Sequence, residues 1–194
     1  KRDVTQNDLA QMMVGREMNT TAANETSPVQ PELLLQISAV QALDTKGLPA
    51  LKNVSFAVHP GEILGIAGVS GNGQSELAQV LSGMLQPVSG KIIFKGADIT
   101  RLTPVEIVRL GIGRIPEDRH ASVVGEMSVA ENIVMETLND YAPRGLLDRK
   151  RINQYAESFI AQYQIKARPQ DPIRTLSGGN MQKVLLARTL ARNP

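Results

Sequence analysis

The sequence predicts an α/β fold carrying a helical insert, and three observations support that reading. Short apolar runs of strand character alternate with amphipathic helical segments. A glycine-rich turn joins one apolar run directly to a helix. Two capping boxes then open helices, the second of them starting a mainly helical stretch before one last helix. With 194 residues, 42% of them hydrophobic and 21% charged, the chain is long enough to bury a real core.

Composition excludes several functions. Lys plus Arg is 21 and Asp plus Glu is 19, so the net charge is only +2, too small an excess for a nucleic-acid footprint. Aromatics are 3% with no Trp, which argues against base-stacking platforms. The absence of cysteine removes disulfide scaffolds, Cys-ligated metal sites and thiol catalysis, and two histidines make a His-rich site improbable. No apolar run approaches the roughly 20 residues of a membrane span, and the N-terminus lacks the apolar core of a secretory signal. Together these give a soluble, reduced, intracellular protein without nucleic-acid partners.

Taken in order, TQNDLAQMMV (5–14) places Leu9, Met12 and Met13 at helical spacing, and residues 18–31 are small, polar and Pro-containing, a linker. The folded body is expected from Glu32. LLLQISAV (33–40) and NVSFAV (53–58) read as strands, the second pointing Val54, Phe56 and Val58 inward. EILGIAG (62–68) reads as a buried strand of a parallel sheet. QSELAQVLSGML (74–85) is an amphipathic helix with Leu77, Val80 and Leu81 on one face. KIIFKG (91–96) is a further strand. Thr103, Pro104 and Glu106 start a helix that Gly111 ends, and GIGRIP (111–116) resumes a strand. Ser128 and Glu131 form a second capping box, opening helical structure to about Tyr163, and a last helix runs from about Gly178 to Arg192.

Chemistry concentrates in GVSGNGQS, Gly68 to Ser75. A glycine loop between an apolar strand and a helix brings backbone N–H groups up to phosphate oxygens, and the positive end of the helix dipole favours the same anion. The spacing fits G-x-x-x-x-G-K-[ST] at every position except the lysine, which is Gln74 here. A charge-assisted hydrogen bond contributes about 1.5–3 kcal/mol against about 1 for a neutral one, so Gln74 weakens phosphate binding and transition-state stabilisation alike. Read alone, the segment favours nucleotide binding, with a glycine-rich strand-to-helix turn without a ligand as the alternative.

LSGGN, Leu176 to Asn180, opens the last helix with Ser177 as N-cap and two glycines leaving the first N–H groups bare. A P-loop-like turn followed downstream by LSGGN, with a helical insert between, resembles the nucleotide-binding domain of ABC transporters. GEILGIAGVSGNGQSEL, IPEDRH and LSGGNMQK together look like the second ATPase domain of double-domain ABC proteins that import simple sugars or nucleosides. The resemblance implies a P-loop NTPase-like ABC domain with an antiparallel β subdomain, a parallel core sheet and a helical subdomain. It divides the chain into 1–31, the tail of a preceding ATPase domain (ending in MMVGRE, 12–17) plus linker; 32–120, β subdomain and P-loop core; 121–176, helical subdomain; and 177–194, the signature helix.

The same resemblance implies ATP and Mg²⁺ as ligands. Gly68, Val69, Ser70, Gly71, Asn72, Gly73, Gln74, Ser75 and Glu76 would contact phosphates, with Ser75 on the metal. Glu117 falls at the Q-loop position and would also reach Mg²⁺, or is simply an exposed loop carboxylate; Arg119 and His120 read as loop surface. Ser177, Gly178, Gly179 and Asn180 would face ATP held by the first ATPase domain, docked head to tail. No aromatic lies between Leu33 and Val54 to stack on adenine. After Leu176 no acidic residue occurs, so the Walker B Asp and the catalytic Glu are lacking, no catalytic residue is expected in the chain, and the domain reads as C-terminally incomplete and inactive alone. Permease subunits and a solute-binding protein are the implied partners, with the protein cytoplasmic and peripheral on the inner face of the membrane. Two other readings stay open: a non-catalytic regulatory module, and an ABC-type ATPase acting on nucleic acid or ribosomes.

Overall fold

The structure, a computed structural model, describes residues 31–69 and 71–194. The helix expected over 5–14 and the linker over 18–30 lie outside the described residues, as does Ser70.

Four strands form one antiparallel sheet in the order β2-β1-β3-β4. They are β1 (Leu35–Leu43), β2 (Pro49–Val58), β3 (Ser89–Phe94) and β4 (Ala97–Asp98). The inward residues of β1 are Ile37, Val40 and Ala42, a set that changes parity between Ile37 and Val40. A bulge produces the change: pairing with both neighbours shifts after this point, and Ala39 takes φ 51° with its N–H on Ser55 Oγ at 2.8 Å. Gly90 on β3 closes over the bulge. A Cβ there would lie 2.5 Å from Val40 Cα, and its φ is 93°, so only glycine fits.

Helix α1 (Gln74–Leu81) lays Leu77 and Val80 onto this sheet, completing a core with Ile37, Val40, Leu51 and Ile92. Helix α2 (Pro104–Arg109) starts at the expected capping box, in which Thr103 Oγ1 accepts from Glu106 N and the Glu106 carboxylate accepts from Thr103 N. The box at Ser128 and Glu131 likewise opens α3 (Val129–Val134). A 3-10 segment follows (Met135–Tyr141), then α4 (Arg149–Gln162) and α5 (Gly178–Leu190). Helices α3, α4 and α5 bury a second core around Val129, Ile133, Ile152, Ile173, Met181 and Val184. Within it the fully buried Asn132 is satisfied: its Oδ1 accepts from Val124 N at 3.0 Å and its Nδ2 donates to Ser128 O at 3.0 Å.

The α/β class with an antiparallel sheet and a helical region holds, but two expected strands do not form. Residues 62–69 have no regular structure, and Ile63 is 97% exposed. Residues 112–116 are also irregular, with Ile115 48% exposed. The reason lies in how such strands are held. A strand inside a parallel sheet takes its hydrogen bonds and its burial from neighbours distant in sequence. Among the described residues no strand pairs with either segment, so no parallel sheet is formed there. The first helix is also shorter than expected, ending at Leu81 because Gly83 (φ 72°) reverses the chain and approaches Leu102 O. β2 starts earlier, at Pro49, and the hairpin strand β4 was not read from the sequence.

Candidate functional site

The glycine loop leads into α1 as expected. Gly71 and Gly73 both take left-handed backbone (φ 88° and 87°), and Gly73 caps α1 with no side-chain hydrogen bond. The first intrahelical bond is Leu77 N to Gly73 O at 2.8 Å, so the N–H groups of Gln74, Ser75 and Glu76 have no helical acceptor. These bare donors suit an anion. The Gln74 side chain folds back over the loop, where its Nε2 would lie 3.2 Å from a Cβ on Gly68. Val69 and Ser75 are exposed. Glu76 puts a carboxylate in the first turn of α1, where it favours the helix dipole but repels a phosphate. The family resemblance implies a phosphate contact at Glu76, and this charge opposes one.

Gly73 also sets where the loop sits. A Cβ on it would fall 2.8 Å from Ala50 O and 3.0 Å from the Leu51 side chain, so the loop rides directly on β2. Beside this contact a groove of about 320 Å³ is lined by Leu43, Pro49, Leu51, Lys52 and Val88 among others. None of the residues lining it is aromatic.

Ser75 and Glu117 are both exposed, and among the described residues no hydrogen bond joins their segments. Among the described residues no group of three or more His, Cys, Asp or Glu side chains could hold a metal. A Mg²⁺ ion bound together with a nucleotide needs only one or two protein oxygens besides phosphates and water, so such an ion does not require a cluster of that size. The loop after Glu117 is shaped by Asp118, whose Oδ1 accepts from His120 N (2.8 Å) and Ala121 N (3.1 Å). Those backbone donors, that of Ala121 foremost, hold the Asp118 carboxyl below its ordinary value.

At the other motif the geometry is more fully satisfied. Ser177 caps α5 with extended backbone (φ −62°, ψ 152°), and its Oγ accepts from Asn180 N at 3.5 Å and from Asn180 Nδ2 at 3.0 Å. The first helical bond runs from Met181 N to Ser177 O, so the N–H groups of Gly178 and Gly179 are left free. Gly179 is open, with nothing within 4 Å of an added Cβ. Gly178 is covered by Arg119, whose Nε would lie 2.9 Å from a Cβ there. Arg119, an exposed loop residue as expected, thus lies against the start of α5. Nothing in the sequence flagged this, because the contact joins a loop to a helix start far along the chain.

A protein-family model described as ABC transporter matches residues 51–194. Over 197 residues the chain is 38% identical to the "Guanosine import ATP-binding protein NupO" of Bacillus subtilis (strain 168), covering 100% of this chain and 38% of that protein. It is 37% identical over 199 residues to the "Nucleoside import ATP-binding protein NupA" of Lactococcus lactis subsp. cremoris (strain MG1363), covering 99% of this chain and 38% of that one. It is also 35% identical to a "Ribose import ATP-binding protein RbsA" of Geobacillus kaustophilus (strain HTA426), covering 96% of this chain and 37% of that protein. The chain thus spans less than two fifths of the length of these relatives. A crystal structure of a nucleotide-free ATP-binding cassette from an ABC transporter superposes with a TM-score of 0.69 at 26% identity, over 84% of this chain and 66% of that one.

Proposed function

The chain belongs to the ABC transporter family, and on that premise we propose that it is part of the second nucleotide-binding domain of a two-domain ATPase importing a simple sugar or nucleoside. Sequence kinship over nearly the whole chain with guanosine, nucleoside and ribose import ATP-binding proteins supports the solute class. That the chain accounts for 38% of the guanosine import ATP-binding protein supports a parent holding a first ATPase domain and further residues. In this reading 1–31 joins the two domains, 32–120 carries the P-loop, 121–176 meets the permease and 177–194 carries the signature. The Walker B acids belong to the part of the parent outside this sequence, and the 194 residues alone do not turn over ATP. The parent lies on the cytoplasmic face of the membrane with its permease and solute-binding protein, and contacts no nucleic acid. Among the described residues no helix is long and apolar enough to cross a membrane.

The observation that carries the proposal is a contrast between two helix starts. The start of α1 has bare N–H groups but only neutral Gln74 at the lysine position and the Glu76 carboxylate in its first turn. The start of α5 has free N–H groups, a capping Ser177 hydroxyl and Arg119 close above. The chain therefore chiefly supplies the signature that completes the first domain's Mg·ATP site, and its own P-loop holds nucleotide weakly and without turnover. In the intact protein, Ser177→Arg abolishes hydrolysis while Gln74→Ala changes it little. The reverse result would overturn the assignment, and hydrolysis indifferent to both would favour a non-catalytic regulatory module.

A further inference from the structure

We propose that Asn180 is a positioning residue that dictates which way the Ser177 hydroxyl points its proton. The inference rests on the signature reading above and adds a determinant to the same site. Its starting point is the backbone N–H of Lys166, which donates to Asn180 Oδ1 at 2.9 Å. An N–H can only donate, so the oxygen of the Asn180 amide must face Lys166, and its NH₂ must face the other way. That side meets Ser177 Oγ at 3.0 Å. With the Asn180 amide, and at longer range the Asn180 N–H, donating to it, Ser177 Oγ acts as acceptor on its inner side. Its own proton is left for the outer, exposed side.

That polarity matters because the bare N–H groups of Gly178 and Gly179 lie at the same helix start. A serine whose proton turned inward would present lone pairs to an incoming phosphate oxygen and repel it. With Asn180 in place, hydroxyl and amides are all donors toward one anion, which is the preorganisation that stabilises developing charge. The loop over 164–167 is the anchor of the arrangement, and a second tie, Lys183 Nζ to Gln164 O at 2.8 Å, holds that loop against α5.

Aspartate is the discriminating replacement. Asn180→Asp keeps an oxygen for Lys166 N–H but cannot donate to Ser177, so the serine proton turns inward to the carboxylate. Asn180→Ala loses the anchor but leaves the hydroxyl free to rotate. A role confined to tying the loop to α5 predicts that alanine is the more harmful. The positioning role predicts the opposite order. In the full-length ATPase that carries this chain, at saturating Mg·ATP, Asn180→Asp is expected to lower turnover about tenfold or more and Asn180→Ala less, while the melting temperature falls more for alanine. Adding Asn180→Asp to Ser177→Ala should cost little beyond Ser177→Ala alone, because the group being misdirected is gone. Equal or reversed turnover for the two Asn180 variants, or a full additive loss in the double variant, would overturn the inference and leave the signature reading standing. If Ser177→Ala itself leaves turnover unchanged, the signature reading falls and this inference falls with it.

Discussion

The nearly buried Arg188 guanidinium lies 3.5 Å through its Nε from the Glu136 carboxylate, and the same carboxylate also receives Arg192. Two arginines of one helical end therefore share a single acid. Both reach further, Arg188 Nη1 to Ser122 O at 3.0 Å and Arg192 Nη2 to Val108 O, so α5 is tied to the loop after Glu117 and to α2. Arg188 Nε lacks a true hydrogen bond, and burial lowers the Arg188 pKa from its ordinary value, with Glu136 opposing. Removing one partner of a buried pair costs about 3–5 kcal/mol; with Glu136 partly exposed, Glu136→Gln should cost about 2–3 kcal/mol. Arg188→Met, which leaves the Arg192 pair intact, should cost less. Urea unfolding midpoints of the two variants decide the order.

The glycines of the two motifs should respond oppositely to alanine. At Gly73 a Cβ meets Ala50 O at 2.8 Å on a backbone of φ 87°, so Gly73→Ala should destabilise by about 1–3 kcal/mol. At Gly179 nothing opposes a Cβ, and helix propensity favours alanine by up to about 1 kcal/mol. Gly179→Ala should therefore melt no lower than the parent sequence. If hydrolysis by the full-length protein nonetheless falls, the loss comes from the anion site and not from folding.

Acid should weaken the entrance to the helical region. The Ser128 N–H, then the Ser128 hydroxyl, hold the Glu131 carboxyl below its ordinary value of 4.5, with Arg149 assisting. A depressed carboxylate contributes stability that is complete above its unfolded pKa and is lost as pH falls through the folded one. The contribution of this capping box is thus intact at pH 6 and drains away below about 4.5. Glu131→Gln should flatten that part of the stability profile while leaving the region above pH 6 with a constant, smaller stability. An unchanged slope below pH 4.5 in the variant would show that other carboxylates govern the acid limb.

Local rules made much of this legible. Both capping boxes, the Ser177 cap and the buried face of α1 follow from signals within a few residues, and all were read from the sequence. What was not legible depends on distant partners. The parity change in β1 is invisible without Gly90 and Ser55 opposite it. Arg119 over Gly178, and Lys166 behind Asn180, are meetings of segments that no periodicity foreshadows. The apolar runs at 62–69 and 112–116 misled for the same reason, since apolarity records a need for neighbours and says nothing of where they come from.

Ile63 tests that last point. A side chain at the centre of a parallel sheet would cost about 2–5 kcal/mol on truncation, and far more on replacement by a charge. At 97% exposure Ile63 has little burial to lose, so Ile63→Lys in the 194-residue chain should change the unfolding free energy by less than about 0.5 kcal/mol. Leu64, Ile66, Val69 and Ile115 are also exposed, and an apolar surface of this kind promotes association. Ile63→Lys should accordingly make the chain less prone to self-associate in sedimentation velocity. In the full-length protein the same substitution should be severely destabilising if further residues bury this segment. A large loss already in the 194-residue chain would mean that 62–69 finds strand partners within it.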